Sequence, residues 1–296
     1  MEKRNLGSSS CLVSAIGLGC WQFSKNRSFI GSYWGDIDQA AIQAIIQESL
    51  QGGVNWFDTA EMYGRGESER MLSKALQNLN VAEEKVVIAT KWDPILRFAG
   101  SIKQTFPDRE KNLSPYPITL FQVHNPTSLS SITAQMRQMA LLVRGKRIKL
   151  IGVSNFSFHQ MKKAHETLLA ENLTLASNQM RYSLVDRTIE SNGVMDYACR
   201  NKITIIAYSP LAQGLLTGRF HEDKNLIKKK PGFRKYLPAF QEDSLRKTLP
   251  LIGTLREIAE GHKVTAAQVA LRWVIQFHGD AIVAIPGASS AKQAQQ

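Results

Sequence analysis

The chain has 296 residues, 43% of them hydrophobic, and a formal net charge of +12. That length suits one or two domains, and α/β barrels commonly fill it as a single unit. No window approaches the roughly 18 consecutive apolar residues of a membrane helix, and three scattered cysteines, Cys11, Cys20 and Cys199, argue against a disulfide framework or a thiolate metal site. The start, MEKRNLGSSS, carries charge with no apolar stretch behind it, so no signal peptide is expected and the expected location is the cytoplasm, an organelle being left open. The basic residues are spread along the chain, which fits a basic soluble protein better than a nucleic-acid track. Only KNLIKKKPGFRK (224–235) is dense, and a cluster that local suits a small anionic ligand.

In chain order, short apolar strands alternate with amphipathic helices. SAIGLG (14–19) is the first strand candidate, with the stretch before it suited to a hairpin under a barrel floor. Ile42, Ile45, Ile46 and Leu50 then share one helical face, and Gly52–Gly53 stops that helix. VNWF (54–57) precedes a helix over 67–78, and KVVIA (85–89) is the third strand. Between Trp92 and Pro117 the helical signal is weak, with Pro107 and a polar run, so a long irregular segment is expected. ITLFQV (118–123) follows, then a stripe of Leu129, Ile132, Met136, Met139 and Val143 that ends near Gly145. IKLIGV (148–153) leads to a capping box, Ser157 with Gln160, that opens a helix at 158. LASNQ (175–179), a helix over 189–201 and ITIIAY (203–208) come next. A second long segment without structure of its own is expected from Leu216 to a helix over 249–261. A second capping box, Thr265 with Gln268, opens a helix at 266, and AIVAI (281–285) is the last strand. Most strands are β-branched and do not alternate, as strands buried on both faces should not. Eight of them alternating with helices predict one α/β domain over 1–296, a (β/α)8 TIM barrel with an N-terminal hairpin cap.

Four chemically complementary residues fall at successive strand ends. In FDTAEMYGRGESE (57–69), Asp58 ends the second strand and Tyr63 lies on the loop after it; Lys91 ends the third strand and His124 the fourth. All face the C-terminal rim, where barrel enzymes place their chemistry. Taken singly, such residues cap helices, sit on surfaces or stay solvated. Together, an acid, a phenol, an ammonium and an imidazole make a proton-transfer site. An ordinary phenol titrates near 10; a lysine cation beside it is expected to lower that value, and a carboxylate to keep the lysine charged. The phenol then serves as general acid while the histidine holds a substrate oxygen.

On these residues the chain resembles the aldo-keto reductase family. FDTAEMYGRGESE is similar to that family's strand-two signature, GVSNFS (152–157) to its strand-five signature, AYSPLAQGLLTGRF (207–220) to its strand-seven signature and IPGASSAKQAQQ (285–296) to its strand-eight signature. The resemblance implies a tetrad of Asp58, Tyr63, Lys91 and His124 with Tyr63 as proton donor, and reversible reduction of aldehydes or ketones by NADPH, with NAD left open. It implies nicotinamide contacts from Ser154, Asn155 and Gln179, stacking by Tyr208, and a pyrophosphate cradle of Ser209, Leu211, Gly218 and Arg219. A basic belt from Lys228 to Lys235, with Arg234 the foremost contact, would lie over it; a merely solvated loop is the other reading. Cys20 and Trp21 would line the ribose side, Trp21 and Trp92 the substrate pocket, with plain packing the other reading of either tryptophan, and Gly287, Ser289 and Gln293 the adenine end. Ser289 and Ser290 stand where many relatives carry a cation for the 2′-phosphate. The sequence stops near the first turn of an incomplete C-terminal helix, which suggests a longer native chain or a groove covered by a neighbour. The resemblance also allows another class of protein, a cofactor-binding regulatory subunit like the potassium-channel beta subunits. The expected partner is a small carbonyl compound, with no nucleic acid and no membrane; no oligomeric state or substrate follows.

Overall fold

Eight parallel strands form one sheet whose two edges meet. The structure is a computed structural model that describes residues 1–24, 36–223, 225–228 and 236–296. An antiparallel hairpin, β1 (Lys3–Asn5) with β2 (Leu12–Ser14), precedes the sheet. The sheet then runs through β3 (Leu18–Gly19), β4 (Trp56–Asp58), β5 (Val87–Trp92), β6 (Ile118–Val123), β7 (Leu150–Ser154), β8 (Leu175–Arg181), β9 (Thr204–Tyr208) and β10 (Ile282–Ile285), each hydrogen-bonded to the next. The chain leading into β3 closes the ring: Gly17 N–H donates to Ala284 O at 2.8 Å, Ala284 N–H to Ala15 O at 2.9 Å, and Gly19 N–H to Pro286 O at 3.0 Å. This is the expected (β/α)8 barrel.

The strands read as unbroken apolar runs because the barrel has two cores. Leu120 of β6 packs inward with Trp56, Ala89, Ile206 and Val283, while its neighbours Phe121 and Val123 pack outward under the helices. Leu6 and Val13 of the hairpin join the inner core, so the hairpin plugs the floor. Trp56 fills that interior and its indole N–H donates to Ser14 O at 2.9 Å. The chain crosses over the ring at Gly17, where any Cβ would fall 2.2 Å from the indole.

The outer ring consists of α1 (Gln39–Gln51), α2 (Glu67–Asn78), α3 (Gly100–Leu113), α4 (Ile132–Arg144), α5 (Phe158–Ala170), α6 (Thr188–Ser191), α7 (Val194–Arg200), α8 (Arg219–Glu222), α9 (Asn225–Lys228), α10 (Glu242–His262), α11 (Ala266–Gln276) and α12 (Ala291–Gln295). Both predicted capping boxes form, Ser157 with Gln160 and Thr265 with Gln268. Among the described residues no helix is long and apolar enough to cross a membrane.

Three expectations are corrected. The stretch from Trp92 to Pro117 contains a regular helix, α3, which runs through Pro107. Its buried stripe is Ile102, Phe106, Arg109 and Leu113, and a charged residue in the stripe masked the helical period. The helix expected over 189–201 is split into α6 and α7, because Gly193 takes φ +84° between them. The segment after Leu216 is not structureless: Leu215, Phe220, Ile227, Phe240 and Leu245 form a small core of their own, and α10 begins at Glu242 rather than 249. Pro250 inside α10 lacks the N–H that would bond the carbonyl of Arg246, which gave the appearance of a helix start.

Candidate active site

The four predicted catalytic residues do meet at the C-terminal rim. The Lys91 ammonium is fully buried and donates to three oxygens: Oδ1 of Asp58 in a short ion pair, the Thr59 carbonyl at 2.9 Å and the Tyr63 hydroxyl at 3.5 Å. The same ammonium lies 5.0 Å from the Tyr63 ring centre. Asp58 is held from its other side, where Oδ2 accepts from the side-chain amides of Gln179 at 2.9 Å and Gln122 at 3.2 Å. The Tyr63 ring is half-buried between Trp21, stacked at 6.0 Å, and His124, edge-on at 5.5 Å.

Burial and charge set the protonation states. Burial tends to lower the Lys91 value, but the Asp58 carboxylate and the Tyr63 phenol outweigh it, so the ammonium is held above its usual range. Burial and the Lys91 cation together hold His124 well below 6.5, so its imidazole is neutral. The buried Nδ1 of His124 has no hydrogen-bond partner among the described residues. Lys91 lowers the Tyr63 value as expected, but a larger effect that the sequence did not show outweighs it. Burial raises the phenol, Lys91 opposes it, and the net direction is up from 10. The lysine therefore restrains the rise without overcoming it, and Tyr63 is a protonated phenol.

The residues assigned to a nicotinamide form one linked patch beside the tetrad. Asn155, at φ +58°, donates through Nδ2 to Asn125 Oδ1 at 2.9 Å and Ser154 Oγ at 3.2 Å, and its Oδ1 accepts from the Tyr208 hydroxyl at 2.9 Å. Ser154 in turn donates to the Gln179 carbonyl at 3.1 Å. Gln179 thus joins this patch to Asp58. In the segment after β9, Ser209 takes φ +51°, and Gly218 takes φ +78° just before α8. Leu211 is half-buried there, while the Arg219 side chain is exposed.

Two of the remaining assigned residues are fully buried. Cys20 is fully buried and belongs to the outer core, just after β3. Trp92 is also fully buried; its indole N–H donates to Ser101 Oγ at 3.1 Å and it packs against α3, which fits the packing reading. At the end of the barrel Ser289 N–H and Oγ both donate to Gln293 Oε1, at 2.8 and 2.9 Å, so these two residues bind each other. Gly287 lies against Gln22, whose amide would be 2.0 Å from any Cβ there. Arg234 and the belt from 229 to 235 lie outside the described residues.

Gln122 escaped the sequence reading, yet a signal existed. It is one of two polar residues, with Thr119, inside an apolar strand and stands two places before His124, hence on the same face. No comparable signal marked Glu61, Glu69 and Arg109, which form a buried ion cluster behind Tyr63.

A profile of the Aldo/keto reductase family matches residues 15–296. The chain belongs to the aldo/keto reductase family. An uncharacterised oxidoreductase of Mycobacterium bovis is 38% identical over 284 residues, covering 95% of this chain and 82% of its own. An aldo-keto reductase of Schizosaccharomyces pombe whose name specifies NADP(+) is 26% identical, covering 99% of this chain and 84% of its own. Among solved structures, the glycerol dehydrogenase of Gluconobacter oxydans superimposes with a TM-score of 0.83 at 28% identity, covering 98% of this chain and 87% of that one. The aldo/keto reductase described here is therefore an oxidoreductase of the carbonyl-reducing kind.

Proposed function

We propose that this aldo/keto reductase reduces aldehydes or ketones to alcohols with NADPH, reversibly, and that Tyr63 is the proton donor. The observation that carries the reading is the Lys91 ammonium shared between the Asp58 carboxylate and the Tyr63 hydroxyl. A nicotinamide cofactor, when bound, supplies hydride to the carbonyl carbon. The residues fit such a group: Ser154, Asn155 and Gln179 gather amide and hydroxyl donors and acceptors at one place, as a flat carboxamide requires, and Tyr208 is tied to them. The name of the fission-yeast relative favours NADP as the dinucleotide.

As negative charge builds on the substrate oxygen, the Tyr63 hydroxyl gives up its proton to that oxygen. Lys91 then faces a phenolate instead of a phenol and stabilises it electrostatically. Asp58 keeps the lysine charged and aimed, with Gln122 and Gln179 fixing the carboxylate. His124 is neutral and stands edge-on to Tyr63 at 5.5 Å, so its imidazole is placed to hold the substrate oxygen beside the phenol. In the alcohol-oxidising direction the phenolate takes the proton back.

Oxidation of NADPH measured against a panel of aldehydes and ketones tests this reading, with Tyr63→Phe in parallel. Turnover by the native enzyme is expected, with a loss of ~10² to 10⁴ in kcat for the variant and unchanged NADPH binding by fluorescence titration. Equal turnover by Tyr63→Phe would remove the proton-donor role. Tight nucleotide binding without turnover on any carbonyl would point to a cofactor-binding regulatory protein.

A further inference from the structure

Behind Tyr63 the loop from β4 to α2 rests on a buried cluster of two carboxylates and a guanidinium. Arg109 of α3 is buried, and its Nε lies 3.0 Å from Oε2 of Glu69, which is itself fully buried at the start of α2. The same guanidinium lies 3.5 Å, through Nη1, from Oε1 of Glu61, two residues before Tyr63. Each carboxylate also reaches the lysine strand. Glu69 Oε1 accepts from Thr90 Oγ at 2.6 Å, next to Lys91, and Glu61 Oε2 accepts from the Asp93 N–H at 3.0 Å, two residues beyond it. Backbone bonds tie the same segments, Glu61 N–H to Lys91 O at 3.1 Å and Gly66 N–H to Glu61 O at 2.8 Å. The two oxygens that face Arg109 each have a hydrogen-bond donor as well: Asn112 Nδ2 donates to Glu69 Oε2 at 2.9 Å, and Arg97 Nη1 to Glu61 Oε1 at 2.7 Å.

We propose that Glu61, Glu69 and Arg109 are positioning residues for proton transfer, holding the loop that carries Tyr63 in register with the strand end that carries Lys91. This rests on the proton-donor reading above. The physical need is specific. Tyr63 and Lys91 belong to different segments, and their contact is a single hydrogen bond of 3.5 Å, at the limit of a bond. Nothing in that contact alone fixes the phenol to within the fraction of an ångström that proton transfer demands. Arg109 Nε and Nη1 make no hydrogen bond among the described residues, so the guanidinium acts as a buried counter-charge between two carboxylates that are themselves hydrogen-bonded to the lysine segment, and the cluster braces the loop out of reach of solvent. If the cluster served stability alone, its loss would lower the melting temperature but leave the turnover of folded enzyme unchanged.

The test is kcat, carbonyl KM and NADPH Kd for Glu61→Gln, alone and combined with Tyr63→Phe, with Arg109→Lys and Arg109→Met alongside. Glu61→Gln preserves volume and an acceptor for Asp93. It is expected to lower kcat about tenfold or more while leaving NADPH Kd within about twofold. In the Tyr63→Phe background the same change should have less than about a twofold effect, because residues that act through one another are not additive. Arg109→Lys should regain part of what Arg109→Met loses; if Arg109→Met does not fold, the Glu61 pair carries the test. Wild-type kcat in folded Glu61→Gln, or an equal loss in both backgrounds, overturns the proposal. Wild-type kcat in Tyr63→Phe, or absence of turnover altogether, overturns the proton-donor reading and this one with it. A slow Tyr63→Phe beside a normal Glu61→Gln overturns only this one.

Discussion

Lys91 and Asp58 form an ion pair whose side chains are 0% and 2% exposed. Each charge is sealed from water and tolerable only through the other. Lys91→Met would leave the Asp58 carboxylate with two amide donors and no cation. Breaking a buried pair in this way typically costs about 3–5 kcal/mol. Urea unfolding should report that loss, and, on the proton-donor role proposed for Tyr63, NADPH-dependent turnover should fall in the same variant because the phenol loses its neighbouring cation.

His124 gives stability a pH dependence with a definite sign. Its folded value lies well below 6.5, so between that value and about 6.5 the unfolded chain binds a proton that the folded chain does not. The contribution is fully present above about pH 6.5 and is lost as pH falls through the folded value. Thermal melting followed from pH 7.5 to 5 should show a falling midpoint. His124→Asn should flatten that slope; an unchanged slope would mean that another group controls it.

Gly66 opens α2 at φ +81°, and a Cβ there would lie 2.4 Å from Asn112 Nδ2 and 3.3 Å from Arg109 Nη2. Gly66→Ala therefore combines a strained backbone with displacement of the ion cluster. A destabilisation above about 1 kcal/mol is expected, together with a drop in kcat. Calorimetry and steady-state kinetics on the folded variant separate the two effects.

Gln122 donates to Asp58, yet its own Oε1 is buried without a partner among the described residues. Gln122→Leu removes one useful bond and one unsatisfied carbonyl, and Gln179 still holds Asp58. The two effects oppose each other, so chemical denaturation should show a change within about 1 kcal/mol. A loss of several kcal/mol would show that Gln122 is indispensable to the ion pair.

The sequence by itself determined the alternation of strands and helices, and with it the barrel. Strands such as ITLFQV lie between two apolar cores, so their hydrophobicity is local and continuous. It also determined where the four candidate side chains meet, because Asp58, Lys91 and His124 end or follow successive parallel strands and must share a rim. What it concealed was long-range. Arg109 looked like one charge in a polar run because its counter-charges, Glu61 and Glu69, lie on distant segments of the chain. The burial of Cys20 and Trp92 depended on which face of the strand end met the helices. The direction of the Tyr63 shift depended on weighing desolvation against one cation. Periodicity and strand ends are written residue by residue along the chain. Burial, charge pairing and the balance between them exist only once distant segments are packed together, so tertiary structure alone decided them.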